Sequence, residues 1–181
     1  MRYASIRELD ISNGEGVGVA LFVQGCRFAC KNCFNPDTWD FNGGKEWTQD
    51  TEDKLIELAN KPYIKRLSIL GGEPLADENL DGVLHLVNRF RLQFPNKSIW
   101  LYSGYTWNQV MCPVITDDFN PSRDELIQKR KEIVKQCNIF VDGRYIDSQR
   151  NPSKKWAGSN NQRVIDIWKS LEQGKVVLRC E

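Results

Sequence analysis

Residues 18–33 read GVALFVQGCRFACKNC, and the first eight of them, Gly18–Gly25, form a short apolar run that enters a turn. A run of that length bounded by a turn signal reads as a buried strand. Cys26, Cys30 and Cys33 follow within the next eight residues. The pattern is therefore a strand that delivers its chain directly into a cysteine-rich loop.

The same arrangement recurs downstream. Lys65–Leu70, KRLSIL, reads as a second strand and stops at Gly71-Gly72-Glu73-Pro74. Ser98–Tyr102, SIWLY, reads as a third and stops at Ser103-Gly104. Asn138–Val141 ends at Asp142-Gly143, and Lys175–Leu178 is expected to form a final strand. Between them lie helical patterns. Leu55, Ile56, Leu58 and Ala59 line one face of 51–60, and Leu80, Val83, Leu84, Val87, Phe90 and Leu92 fall at largely helical spacing in 79–94. A third helix is expected over 124–136, capped from Ser122. Residues 111–122, with two prolines and three Asp or Asn, read as a loop or surface insertion, and 147–155 as an exposed polar stretch.

Alternating short strands and helices imply an α/β fold with a largely parallel sheet and helical crossovers. There are too few units for an eight-fold barrel, so an open or partial (β/α) barrel is expected, with residues 1–181 as one domain. The strand-end sequences would meet where parallel folds place their chemistry, at the carboxyl edge of the sheet.

Charge narrows the function. Twenty-five basic against 24 acidic side chains leave a formal net charge of +1, which supplies no electrostatic reason for nucleic acid as the main partner. No apolar stretch approaches the roughly 20 residues that span a bilayer, so no membrane role is expected. The opening MRYASIRELDIS lacks the continuous apolar block of a secretory signal. A cytoplasmic location is the resulting expectation, and its reducing conditions disfavour structural disulfides.

Six cysteines must then be read as ligands or free thiols. Cys112, Cys137 and Cys180 are scattered, whereas Cys26, Cys30 and Cys33 sit on one loop. Thiolates are soft donors that suit an iron–sulfur cluster or zinc. Four would complete a closed cluster, but this run supplies three, leaving one iron open to an exchangeable ligand. Zinc remains an alternative, closed by His85 or by a distant cysteine as a non-catalytic interaction module, and so do unliganded thiols.

The CxxxCxxC spacing of Cys26, Cys30 and Cys33 resembles the cluster motif of the radical S-adenosylmethionine superfamily. The surrounding QGCRFACKNCFNPDTWDF is similar to the activating proteins of anaerobic ribonucleoside-triphosphate reductase. Many superfamily members carry an aromatic residue before the third cysteine, whereas this chain has Asn32 there and Phe34 on the other side. Gly71-Gly72-Glu73-Pro74 resembles the GGEP segment that receives the methionine amino group. Residues 100–105, WLYSGY, 141–145, VDGRY, and 158–163, GSNNQR, resemble further segments in the same order. Asn13-Gly14-Glu15-Gly16 stands where the family usually has DGPG.

The resemblance implies a [4Fe-4S] cluster on Cys26, Cys30 and Cys33 and a partial barrel of the radical S-adenosylmethionine type. It implies S-adenosyl-L-methionine contacts at Gly71, Gly72, Glu73, Pro74, Ser103, Gly104, Asn32 and Phe34, and makes Asn160 and Arg163 candidates for further polar contacts. Reductive cleavage would yield methionine and a 5′-deoxyadenosyl radical, which takes a hydrogen from a glycine of the reductase catalytic subunit. No general acid or base is required. Flavodoxin or ferredoxin is the implied electron donor, and another glycyl-radical enzyme is the alternative target.

Overall fold

The computed structural model describes residues 1–113 and 120–179. Strands β1 (Arg2–Asp10), β2 (Gly18–Val23), β3 (Lys45–Glu46), β4 (Arg66–Gly71), β5 (Ser98–Ser103), β6 (Ile139–Asp142) and β7 (Arg163–Asp166) form one sheet. Its order is β3-β1-β2-β4-β5-β6-β7. Helices α1 (Gln49–Asn60), α2 (Leu80–Gln93), α3 (Trp107–Met111), α4 (Pro121–Gln136) and α5 (Ile167–Gln173) connect or follow the strands.

The sheet is mixed rather than largely parallel. β2, β4, β5 and β6 are mutually parallel, as the sequence implies, but β1, β3 and β7 pair antiparallel to their neighbours. Connection chemistry explains the difference. A parallel pair needs a crossover, usually a helix, and α1, α2 and α4 supply it between the central strands. The link from β1 to β2 is a short loop, and the link from β6 to β7 carries no α-helix, so both can turn the chain back. Among the described residues no pairing joins β3 to β7, and the barrel is not closed.

Strand side chains alternate between two faces. Val19, Leu21 and Val23 of β2, Leu67 and Ile69 of β4, Ile99 and Leu101 of β5 and Phe140 of β6 pack with the helices. On α1 and α2 the facing residues include Leu55, Ile56, Val83, Leu86, Val87 and Phe90. The alternate residues make two smaller clusters without helical members: Ala20, Phe22 and Leu70, and Trp100, Ile139, Val141 and Val164. The helices thus cover one face, which leaves the other available for a site.

That second face contains a buried ion pair. Arg66 and Asp10 are both fully buried, with Nη2 of Arg66 donating to Oδ2 of Asp10 at 2.6 Å and to its main-chain oxygen at 2.9 Å. Nη1 of Arg66 donates to Oγ of Ser68, which donates to the carbonyl of Asn13 at 2.6 Å. The Asn13 main-chain and side-chain N–H groups both return to the Asp10 carboxylate. This network holds loop 11–17 against the sheet.

Several local expectations change. β1 has a half-exposed, polar pattern, RYASIRELD, which hides it from an apolar-run reading. α4 begins two residues before Arg123, at Pro121, and its cap is Asn120 rather than Ser122, with Oδ1 accepting the Arg123 N–H at 3.1 Å. Lys175–Leu178 is not a strand: only an isolated bridge joins Leu178 to Ile165. Of the stretch 111–122, Met111 ends α3 and Pro121 opens α4, while 114–119 lie outside the described residues.

Removing one partner of a buried pair leaves the other charge uncompensated, so Asp10→Ala should cost about 3–5 kcal/mol in denaturant unfolding. Burial raises the Asp10 carboxyl, but hydrogen bonds from Arg66 and Asn13 outweigh it and hold the carboxyl below its ordinary 3.8. Asp10 therefore stabilises the fold above about pH 3.8, and this contribution disappears as pH falls through the depressed value. In acid titrations of stability, Asp10→Asn should lack that component.

Candidate functional site

Loops leaving the carboxyl ends of β2, β4, β5 and β6 enclose a cavity of about 730 Å³. Cavities of this order accept cofactor-sized molecules. Its wall includes Cys26, Cys30 and Cys33 after β2, Gly71, Gly72 and Glu73 around the end of β4, and Ser103 and Gly104 after β5. Phe22, Leu70 and Tyr102 reach it from the face of the sheet that carries no helices.

Glu73 joins these loops. It is 3% exposed. Oε1 accepts from the Ser103 hydroxyl at 2.7 Å and the Leu75 N–H at 2.8 Å, and Oε2 accepts from the Gly104 N–H at 2.7 Å. The Glu73 N–H donates to the Gly25 carbonyl at 2.8 Å, beside the first cysteine. Burial pushes this carboxyl up to about 7 against the opposing pull of those three donors. Its oxygens are therefore directed at the protein's own loops.

Two glycines permit the convergence. A Cβ on Gly72 would lie 2.6 Å from the Gly25 carbonyl oxygen, and one on Gly104 would overlap the Phe28 ring. Neither close approach tolerates a side chain.

The cysteine loop is strained within itself. Ala29 and Asn32 occupy the left-handed region, with φ of 45° and 54°. For a residue such as alanine this costs roughly 1–2 kcal/mol, whereas asparagine visits the region more readily. The Cys33 N–H donates to the Cys30 carbonyl at 3.1 Å, and Sγ of Cys33 accepts from the Asn35 N–H at 3.4 Å. Residues 143–147 run beside the loop. The Arg144 guanidinium lies 4.3 Å from the centre of the Phe28 ring, Tyr145 packs on Phe34 at 4.9 Å, and Asn32 Nδ2 donates to Asp147 at 2.9 Å.

Cys26, Cys30 and Cys33 line one wall of the cavity, and soft sulfur donors of this kind suit an iron–sulfur cluster. Burial, the nearby Glu73 carboxylate and the other two thiolates push the Cys26 thiol up to about 11. Burial and the neighbouring Cys33 thiolate also raise Cys30. Three crowded soft donors of like charge are stabilised as thiolates by a cationic metal centre. Among the described residues, no three His, Cys, Asp or Glu side chains are placed to hold a single metal ion. His85 interacts with Glu52 through Nδ1 at 3.1 Å, and Cys137 is buried in the helix-side core. Neither lines the cavity, and neither does the exposed Cys112. Cys180 lies outside the described residues.

The fold therefore brings together most residues singled out from sequence: the three cysteines, Phe34, Gly71, Gly72, Glu73, Ser103 and Gly104. It does not bring Asn32 or Pro74 to the cavity wall; Asn32 is exposed on Asp147 and Pro74 is buried behind the turn. Arg163 is committed to the buried Asp142, and Asn160 accepts from Asn151 Nδ2 at 2.7 Å. Arg27 pairs with Glu78 and stacks over Phe41. Sequence reasoning did not assign Ser12, Asn13, Arg144 or Trp156 to this wall, where the structure puts them. The position of Gly143-Arg144-Tyr145 at a strand end was the available signal for one of them.

A protein family described as a 4Fe-4S single cluster domain matches residues 12–165. The chain is 37% identical over 166 residues to the anaerobic ribonucleoside-triphosphate reductase-activating protein of Vibrio cholerae, covering 91% of this chain and 97% of that one. Identity to the Escherichia coli K12 protein of the same name is 36%, with the same coverage. The Enterobacteria phage T4 protein of that name is 33% identical over 174 residues, covering 93% of this chain and 99% of the phage protein.

Because its folded-state carboxyl is raised from 4.5 to about 7, Glu73 binds its proton more tightly in the folded chain than in the unfolded one. Its contribution to stability is present below the ordinary value and falls as pH rises through about 7. Unfolding measured from pH 5 to pH 8 should show a downward component that is missing from Glu73→Gln. Equal slopes for the two proteins would contradict the raised carboxyl.

Proposed function

The chain belongs to the family of anaerobic ribonucleoside-triphosphate reductase-activating proteins, and from that premise we propose that it is a radical S-adenosylmethionine activase. Its target is the catalytic subunit of anaerobic ribonucleoside-triphosphate reductase, on which it generates a glycyl radical. The observation that carries this reading is the shared wall: three thiols face the GGE and SG turns across one cavity, and among the described residues no fourth cysteine lines it.

Cys26, Cys30 and Cys33 hold a [4Fe-4S] cluster, which leaves one iron without a protein thiolate. When bound, the reduced cluster and S-adenosyl-L-methionine supply a 5′-deoxyadenosyl radical that removes a hydrogen from the target glycine. Gly71 and Gly72, which line the cavity, would receive the methionine end of the cofactor, with Glu73 fixing their turn through its hydrogen bonds to Leu75 and Gly104. Ser103 and Gly104 form the adjoining wall, and Phe34, packed on Tyr145, lines the cavity beside the third cysteine. The sheet serves as a partial barrel, with helices outside and the cavity on the opposite face. No side chain moves a proton in this scheme. Orientation dominates, because a displacement near 1 Å costs about a hundredfold in such a reaction.

A flavodoxin or ferredoxin supplies the electron. Among the described residues no helix is long and apolar enough to cross a membrane.

The deciding assay uses anaerobically reconstituted protein, a strong reductant and S-adenosylmethionine, with and without the reductase. The expected products are 5′-deoxyadenosine and a glycyl electron paramagnetic resonance signal on the reductase. Deoxyadenosine without that signal would redirect the activity to another glycyl-radical enzyme. Cys30→Ala should lose iron–sulfur charge-transfer absorbance and both products, and retained activity would exclude Cys30 as a ligand.

A further inference from the structure

The GSNNQR stretch, 158–163, matches the family pattern but supplies little of the cavity wall: among its residues Gly158 and Gln162 line it. Its side chains are spent on a neighbouring segment. Gln162 Nε2 donates to the Gly143 carbonyl at 2.9 Å, and Asn161 Nδ2 donates to the Arg144 carbonyl at 2.8 Å. The other ends of the same two side chains organise the turn itself. Gln162 Oε1 accepts from the Gly158 N–H at 2.8 Å and the Ser159 N–H at 3.2 Å, and Asn161 Oδ1 accepts from the Ser159 hydroxyl at 2.7 Å.

We propose that Asn161 and Gln162 are positioning residues for the cysteine loop, acting through the strap 143–147. The strap meets that loop at three places in sequence order: Arg144 over Phe28, Tyr145 on Phe34, and Asp147 with Asn32. These contacts bracket Cys30 and Cys33 on both sides. The loop they bracket carries two non-glycine residues in the left-handed region, Ala29 and Asn32. Such a conformation persists when its surroundings enforce it. The strap in turn has Gly143 at φ 96°, and its Gly143 and Arg144 carbonyls accept the side-chain amides of Gln162 and Asn161. Gly158 completes the assembly, because a Cβ there would lie 2.6 Å from the Phe34 ring. The turn thus acts on the cysteine loop through the strap, while Gly158 and Gln162 also line the cavity.

This inference rests on the cluster reading of Cys26, Cys30 and Cys33, and its test separates the two. Gln162→Glu and Asn161→Asp keep the oxygens that accept within the turn but lose the amide N–H groups that reach the strap. In the metal-free full chain, iodoacetamide labelling of Cys30 and Cys33, read by mass spectrometry, should quicken about threefold to tenfold in the double variant. Added negative charge would by itself slow thiolate formation, so acceleration reports loop freedom. Loss of the reconstituted cluster to an iron chelator should quicken similarly, while the thermal midpoint stays close to wild type. Tyr145→Leu cuts the strap-to-loop contact directly and should give the same result. Combined with the double variant, it should add little, because both break one chain of contacts. Unchanged labelling, or fully additive effects, would overturn the proposal. If the double variant does not fold, unchanged labelling in Tyr145→Leu overturns it. A wild-type chain that takes up no iron sinks the cluster reading, while labelling still judges the strap.

Discussion

A single buried carboxylate holds the site together. Parallel strands pair along their lengths, but the loops beyond their carboxyl ends have no ladder to keep them in register. Glu73 supplies the missing connection by accepting N–H and O–H donors from its own turn and from the turn after β5. Its main-chain N–H extends the connection to Gly25, one residue before Cys26. Burying the charge is unfavourable, which raises its proton affinity, yet three donors make the ionised form tolerable. The cysteine loop, the GGEP turn and the SG turn are consequently parts of one hydrogen-bonded unit.

The two faces of the sheet divide the remaining work. Apolar side chains facing α1, α2 and α4 provide the bulk of the core, mostly Leu, Ile, Val and Phe. The opposite face mixes apolar clusters with the Asp10–Arg66 pair and the Ser68–Asn13 hydrogen bond. A buried ion pair of this kind is weak evidence for stability, because desolvation offsets much of the attraction. Its visible structural effect is to give loop 11–17 one defined path, which places Ser12 and Asn13 on the cavity wall.

Local backbone preference accounts for a departure at the cysteine loop. Where much of the superfamily places an aromatic residue before the third cysteine, this chain has Asn32, and Asn32 adopts a φ of 54°. Asparagine accepts that conformation at lower cost than a bulky side chain, and its amide finds an external partner in Asp147. The aromatic function moves to Phe34, which meets Tyr145. The loop can thus turn sharply between the thiols, with the Phe34 ring packed on Tyr145 just beyond them.

Much was legible from the chain alone. The apolar runs at 18–23, 66–71 and 98–103 have the length and turn signals of buried strands, and periodicity located α1 and α2, because burial on both sides of a sheet or along one helix face imposes those patterns. Cysteine spacing and strand-end glycines marked the site for the same local reason. β1 and β7 escaped because polar, half-exposed or very short strands carry little periodic signal, and antiparallel pairing depends on which neighbour the chain returns to. Likewise Ser12 and Trp156 have no local mark of function; they reach the cavity through loop paths set by contacts distant in sequence. Spacing along the chain determined which donors exist, and long-range packing decided which of them face one another.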